Sequence, residues 1–284
     1  MVTGEFIMKN LGVIFVVLLL VIGAVSGFLK SRTDGTKFEK LVLTGSSTVA
    51  PLAAEIGKRF ESLHSNVRVD VQTGGSSRGV SDARAGLADI GMASRVLKDD
   101  EKDLLSFTIA LDGISVILNK ANPVESLNKQ QIIDIYTGKI VNWKDVGGND
   151  APITVVNKAE GRSTLELFLH YFGLKNTDVK PQVVIGDNQQ GIKTVVGNPD
   201  AIGYVSVGTA EYEASQGAAI KLLPLEGIAA SVENVRNRSF PLSRPLNLVT
   251  HAEPTGIAKT FIEFASSPQV NDLIEAQYFV PVPR

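Results

Sequence analysis

Cysteine is absent from this chain of 284 residues, and histidine is scarce, with only three residues. Without cysteine the protein has no disulfide, no thiolate catalysis, no cysteine-bound zinc and no lipid attached through a cysteine. The absence does not identify the compartment, because oxidising compartments permit disulfides without requiring them. Histidines and acidic residues never fall at the spacing of metal ligands. We therefore expect neither a metal site nor a cofactor.

A surplus of basic residues is also missing. The formal net charge is −2 and the sequence pI is about 6.0. No basic excess is available for nucleic acid, and no run of like charges marks a tail. If the chain binds an anion, the attraction must therefore come from a local site and not from the overall charge.

The remaining composition is that of a globular protein, with 44% hydrophobic and 20% charged residues. This balance excludes a disordered or fibrous chain. Short apolar runs alternate with segments of helical periodicity from Leu41 onward, including a charged helix expected from Lys98 to Leu105. The alternation predicts an α/β fold with mostly parallel sheets.

The N-terminal segment has the features of an export signal. Lys9 precedes an apolar run at residues 11–25, and Ala24-Val25-Ser26 has the small-x-small pattern of a cleavage site. The apolar run to Leu29 is also nearly long enough to span a bilayer, so an uncleaved anchor remains an alternative. We expect residues 1–36 to be a signal peptide or membrane anchor plus a linker. We then expect the rest of the chain to be either periplasmic, or extracytoplasmic and attached to the membrane by this segment.

Three turns rich in glycine, serine and threonine share one design, a short strand before the turn and a helix after it. The first amides of a helix have no intrahelical partner and carry partial positive charge, so each turn is suited to hold an anion. In open α/β sheets, such strand ends meet at one crevice. The three turns are Gly45-Ser46-Ser47-Thr48, Gly75-Ser76-Ser77 and Gly161-Arg162-Ser163-Thr164.

Helix capping is an alternative explanation of the same turns. Ser163 with Glu166 fits a capping box, and Thr48 is placed to cap the helix that follows it. Any single turn is better explained as a cap. Three of them in one α/β chain favour a common anion site.

A serine hydrolase is the second alternative. Gly75-Ser76-Ser77-Arg78-Gly79 matches the G-x-S-x-G pattern and lies between a predicted strand and a predicted helix. Ser77 would be the nucleophile, His251 the base and Asp187 the group that orients the base. With three fixed positions in five, the pattern also arises by chance in such turns, so we expect no enzyme.

The order of several longer motifs resembles the phosphate-specific substrate-binding proteins of ABC transporters, within the type II periplasmic-binding-protein fold. The resemblance extends from Leu41 to Val280. Its motifs are Thr44-Gly-Ser-Ser-Thr-Val-Ala-Pro51, Gly74-Gly-Ser-Ser-Arg-Gly79, Ala88-Asp-Ile-Gly-Met-Ala-Ser-Arg95, Leu111-Asp-Gly-Ile-Ser-Val-Ile-Leu-Asn-Lys120, Tyr136-Thr-Gly-Lys-Ile-Val-Asn-Trp143 and Ala201-Ile-Gly-Tyr-Val-Ser206.

The resemblance implies two α/β lobes, each a mostly parallel sheet flanked by helices, joined by two crossing strands. Lobe 1 would contain residues 37–113 and 243–284, and lobe 2 residues 114–242. It also implies inorganic phosphate as the ligand, an ABC-type permease as the partner and a monomeric state. Nucleic acid is not an expected partner.

The phosphate-binding residues expected from the turns and from the resemblance lie in or directly after the three turns and at Ser94-Arg95. They are Ser47, Thr48 with the amide of Val49, Ser76 and Ser77, Ser94 with Arg95, and Arg162, Ser163 and Thr164.

The third turn departs from the family pattern, because Gly161-Arg162-Ser163-Thr164 stands where Gly-Ser-Gly-Thr is usual. Either Arg162 brings charge into the cleft, or it points outward and Lys158 supplies the cation. A carboxylate such as Asp89 or Glu160 would accept the proton of monohydrogen phosphate and repel sulfate, although Asp89 fits a structural role equally well. Sulfate, molybdate or tungstate as the ligand, and a sensory receptor without a permease, therefore remain alternatives.

Overall fold

Strands and helices alternate along the chain in the computed structural model, which describes residues 38–282. The predicted export signal lies outside the described residues. The strands are β1 (Glu39–Gly45), β2 (Val67–Thr73), β3 (Ile90–Ala93), β4 (Leu105–Asn119), β5 (Thr154–Lys158), β6 (Val183–Ile185), β7 (Ala201–Ser206), β8 (Ile220–Leu222), β9 (Ser243–Thr250) and β10 (Val280–Pro281). The helices are α1 (Ala50–Leu63), α2 (Ser76–Ala85), α3 (Lys129–Tyr136), α4 (Ser163–Phe172), α5 (Asn188–Gly197), α6 (Val207–Ser215), α7 (Val232–Arg236), α8 (Gly256–Ala265) and α9 (Asn271–Ala276).

The strands form one mixed sheet in the order β2-β1-β3-β9-β4-β7-β5-β6, with β8 and β10 also paired to β4. Pairs towards the outside of this order are parallel, namely β1 with β3 and β5 with both β6 and β7. The pairs that involve β4 and β9 are antiparallel. The predicted parallel pairing is therefore found on both sides of the sheet, but not in the pairs that include the central strands β4 and β9.

The long strand β4 changes partner along its length. Up to Gly113 it pairs with β9, where Gly113 lies opposite Ser243. From Ile114 it pairs with β7, where Ile114 lies opposite Ser206. The partner change coincides with the limit between lobes proposed from the sequence, which itself remains a prediction.

Two separate hydrophobic cores lie on either side of this partner change. Ile109 and Ala110 of β4 pack into one core with Leu41 and Phe60, and this part is called lobe 1. Ile114 and Val116 of the same strand pack into another core, and this part is called lobe 2. The two crossing strands β4 and β9 thus connect two units that each bury their own apolar side chains.

The prediction of a charged helix from Lys98 to Leu105 is wrong. The structure has only a single 3-10 turn at Asp99–Glu101, and β4 already begins at Leu105. Glu101 at the end of this turn points inward and pairs with Arg95, with 2.6 and 2.8 Å between their oxygens and nitrogens. Within residues 38–282, every helix is too short or too polar to cross a bilayer.

Candidate anion-binding site

A small polar cavity lies where the two lobes meet, and most of its lining residues carry hydroxyl groups. They are Ser46, Ser47, Thr48, Gly75, Ser76, Ser94, Lys158, Arg162, Ser163 and Thr164. The three predicted turns therefore meet at one place, together with the loop after β3 and the end of β5. None of these lining residues is acidic.

Gly75 allows the turns of the two lobes to approach each other. Its φ is 95°, and a Cβ atom there would lie 2.6 Å from the carbonyl oxygen of Gly161 in lobe 2. Beside it, the amide of Ser77 donates a hydrogen bond across the cleft to that same oxygen, at 3.2 Å. Only glycine tolerates both the backbone angle and this contact.

The three helices that begin at the cavity have no side-chain cap. Val49, Gly75 and Arg162 precede α1, α2 and α4, and none of them makes a capping hydrogen bond. By contrast, side chains cap α3, α5, α6 and α7. The capping explanation of the turns is therefore wrong, since Thr48 and Ser163 are not helix caps. In the first turn it is Ser46 whose hydroxyl accepts from the amides of Thr48 and Val49, directly before α1.

Arg244 organises the hydroxyl groups from behind the cavity. Its Nη2 donates to Oγ1 of Thr48 at 3.2 Å, and its Nη1 donates to Oγ1 of Thr164 at 3.0 Å. The amide of Asn188 also donates to Thr48 Oγ1, at 3.1 Å. A hydroxyl has two acceptor positions and one donor. Both acceptor positions of Thr48 are therefore occupied, and its O–H is left to donate to a ligand.

Serine hydroxyls form a connected group on the other wall of the cavity. Oγ of Ser163 lies 2.5 Å from Oγ of Ser76 and 2.8 Å from Oγ of Ser94. Ser46 donates to Ser94 at 3.0 Å and accepts from the amides of Thr48 and Val49. Hydroxyl hydrogens rotate, so this group can redirect donors towards an anion.

Lys158 and Arg162, the two cations considered from the sequence, are both among the residues that line the cavity. The Nε of Arg162 is buried and has no hydrogen-bond partner. Lys158 is only 3% exposed, and its Nζ donates to Oδ1 of Asn188 at 3.0 Å. Burial, together with the charge of Arg244, lowers the pKa of the Lys158 amine from 10.5 to about 7; Asp187 opposes this shift and Arg162 adds to it.

The stability of the ligand-free protein is expected to depend on this lysine. Between pH 7 and the unfolded pKa of 10.5, the unfolded chain binds a proton that the folded amine does not. The free energy of unfolding should therefore rise with pH in this window, by up to about 1.4 kcal/mol per pH unit. Denaturant titrations at several pH values give the free energy of unfolding of the wild type and of Lys158→Met. The contribution of Lys158 is the difference between the two slopes of this free energy against pH. Equal slopes would contradict the expectation.

Arg244 and Asp112 form a buried ion pair between the two crossing strands. The Arg244 side chain is 1% exposed and that of Asp112 is 0% exposed, with 2.8 Å between Nη2 and Oδ2. Oδ1 of Asp112 accepts from the Ser206 hydroxyl at 2.9 Å and from the Gly208 amide at 3.1 Å. The carboxylate is thus fully occupied and holds the guanidinium against the cavity hydroxyls.

Five predicted residues do not line the cavity. Val49 lies in the core, and its amide donates to Ser46 at 3.3 Å. Asp89 is exposed and accepts from the amide of Val42 at 2.7 Å, which is the structural role that the sequence left open. Ser77 donates to Glu166. Arg95 is turned away and contacts Glu101 and Glu166. Glu160, the other candidate carboxylate, is exposed and accepts from Asn176.

The hydrolase triad is not assembled. Ser77 donates to Glu166 at 3.1 Å, and Asp187 accepts from the amide of Gln190 at the start of α5. His251 is exposed at the end of β9 and makes no hydrogen bond to either residue. The sequence match to a nucleophile elbow is therefore not accompanied by a catalytic arrangement of Ser77, His251 and Asp187.

Sequence reasoning missed Arg244, Asp112 and Asn188. A signal existed for the first two, because each is the one charged residue in a mostly apolar strand. Charged residues in buried strands are almost always paired. Their pairing across 132 positions of sequence, however, depends on the alignment of β4 with β9.

Two lobes joined by crossing strands, with a hydroxyl-lined and cationic cavity between them, define a binding protein that encloses a small anion. The model of the PBP superfamily domain matches residues 30–269. A phosphate-binding protein PstS of Staphylococcus aureus is 30% identical over 233 residues, which are 78% of this chain and 71% of the relative.

Solved structures show the same likeness. A phosphate ABC transporter substrate-binding protein of Clostridium perfringens, determined with bound phosphate, is 36% identical and covers 86% of this chain and 100% of its own, with a TM-score of 0.79. An ABC-type phosphate transport receptor of Vibrio cholerae is 32% identical with a TM-score of 0.68, and covers 86% of this chain and 100% of its own. This chain belongs to the PstS family of phosphate-binding proteins, within the PBP superfamily. The predicted two-lobed type II fold is confirmed.

Proposed function

We propose that this chain captures inorganic phosphate outside the cytoplasm and delivers it to an ABC-type permease. The observation that carries the proposal is the hydroxyl of Thr48, whose two acceptor positions are filled by Arg244 and Asn188. Its hydrogen is thereby committed to an acceptor in the cavity, and an oxyanion presents acceptor oxygens there. Named relatives and a phosphate-bound neighbour support phosphate as that anion.

Capture requires no chemical step in this proposal. Hydrogen bonds to a charged group contribute about 1.5–3 kcal/mol each, so several donors together provide the roughly −8 kcal/mol of a micromolar complex after ordering costs. Opening of the lobes at the permease then releases the ligand. We further propose that the protein acts as a monomer and that residues 1–36 direct its export.

Isothermal titration of the purified protein with phosphate, and then with sulfate, tests the proposal. We expect phosphate to bind at micromolar or lower concentration. Sulfate is the competing candidate, because no acidic residue among the described lining residues would repel it. Binding of sulfate without phosphate would keep the fold and replace the ligand.

Glu166 is expected to control how fast the ligand leaves. This residue of lobe 2 lies 3.0 Å from Nε of Arg95 and 3.1 Å from Nζ of Lys98, and both partners belong to lobe 1. Glu166→Gln removes these ion pairs across the cleft and should speed phosphate dissociation about fivefold, since its side chain is partly exposed and screened. Stopped-flow measurement of release gives the rate. Lys98→Met, which removes only the more exposed contact, is the control with a smaller effect, and an unchanged rate in Glu166→Gln would refute this role.

A further inference from the structure

The cavity lacks an obvious acceptor for the proton of monohydrogen phosphate. Asp89 and Glu160, the carboxylates considered from the sequence, are both exposed and make other contacts. Asp112 is buried nearby, but its oxygens are occupied by Arg244, Ser206 and Gly208. The described lining residues therefore offer the ligand no carboxylate, and the ionisable groups among them are Lys158 and Arg162.

Lys158 is bonded as a neutral amine would be. Among residues 38–282, one acceptor contacts its Nζ, the Oδ1 atom of Asn188 at 3.0 Å. A lysine ammonium has three N–H donors and no acceptor. Buried at 3% exposure, an ammonium would leave donors unsatisfied, whereas a neutral amine has fewer hydrogens to place and a lone pair that can accept.

The charged groups around Lys158 also disfavour a positive charge in the ligand-free site. Arg244 comes from β9 and Arg162 from the turn before α4, and both lower the pKa of the amine, which burial has already brought down to about 7. Asp187, before α5, is the one opposing charge in this set. From β7, the Tyr204 hydroxyl accepts from the Lys158 backbone amide at 3.3 Å and remains uncharged, since burial raises its pKa.

We propose that Lys158 is a neutral amine in the ligand-free cavity and becomes an ammonium when the anion is bound, so that capture of a phosphate dianion takes up one proton from the solvent. This inference rests on the proposed function. The balance is simple, because the dianion, the neutral amine and one solvent proton together give the complex. A bound dianion is the opposite charge that the site otherwise lacks, and it stabilises the ammonium.

Proton uptake is measured by titrating the purified protein with phosphate at about pH 8.5 in two buffers of different ionisation enthalpy. At this pH, phosphate in solution is already the dianion. We expect the wild type to take up about one proton per phosphate bound, and its affinity to fall about tenfold per pH unit above about pH 8.

Two variants locate the proton. Lys158→Arg carries a permanent charge, so its uptake should be close to zero and its affinity nearly constant between pH 7.5 and 9. Lys158→Met has no titratable group at this position and should also show no uptake, with weaker binding, which keeps the test available if arginine does not fit.

Each remaining outcome overturns the inference. Binding by the wild type without proton uptake would mean that Lys158 is already charged in the free protein. Uptake of one proton by all three proteins would mean that the proton lies on the phosphate. In both cases the proposed function stands. Absence of phosphate binding by the wild type would instead refute the proposed function and the inference together.

Discussion

Arg244→Met is expected to weaken phosphate binding by at least about 100-fold, which corresponds to about 2.7 kcal/mol. Arg244 donates to Thr48, Thr164 and Ser94, so its loss frees the acceptor positions that keep these hydroxyl groups directed at the ligand. The same change removes a buried positive charge beside the cavity. Isothermal titration with phosphate measures the loss.

The same variant should also be less stable. Asp112, at 0% exposure, would be left as an unpaired buried carboxylate, which typically costs about 3–5 kcal/mol. The double variant Arg244→Met/Asp112→Asn separates the two effects, because it removes the unpaired charge. We expect it to recover much of the stability and none of the affinity. A double variant that binds phosphate like the wild type would show that Arg244 only supports the fold.

Thr48→Val is expected to weaken phosphate binding about 10- to 100-fold while the fold stays intact. Valine has nearly the same shape as threonine, so the change removes the hydroxyl donor with little repacking. The donor matters because Thr48 has no other acceptor available for its hydrogen among the described residues. Phosphate titration gives the affinity, and thermal unfolding gives the stability.

Thr44→Val is the matched control for this substitution. Thr44 is also buried, at 2% exposure, but it lies in β1 and its Oγ1 has no hydrogen-bond partner. Removing an unsatisfied buried hydroxyl should leave binding unchanged and keep or raise the stability. If both valine variants bind as the wild type does, the cavity hydroxyls do not hold the anion.

Patterns that are local in sequence could be predicted well. The alternation of short apolar runs with helical segments indicated the α/β fold, since periodicity reports which face of an element is buried. The turns at Gly45, Gly75 and Gly161 could be placed at one crevice, because strand ends converge in such sheets. This argument predicts that Ser76 and Thr164 lie near each other, the family resemblance adds Ser94, and all three line one cavity.

The direction of individual side chains could not be predicted from these patterns. Ser76 and Ser77 are neighbours in one turn, yet Ser76 lines the cavity and Ser77 reaches across to Glu166. Successive residues at the start of a helix point about 100° apart, so the choice depends on where the helix begins. Likewise Arg95 is drawn away from the ligand by Glu101 and Glu166, whose positions depend on the packing of lobe 1 against lobe 2.

The sequence by itself determined the α/β alternation of the chain and its family, and it predicted which three turns would meet at one place. Only the tertiary structure decided that Arg244 and Asp112 meet, and that Lys158 is buried among arginines with a single acceptor. The physical reason is that hydrogen-bond partners and dielectric surroundings depend on contacts between distant segments. The residue type determines the charge and the number of hydrogen-bond donors. The surroundings of the residue depend on the pairing of β4 with β9 and on the packing of the two lobes.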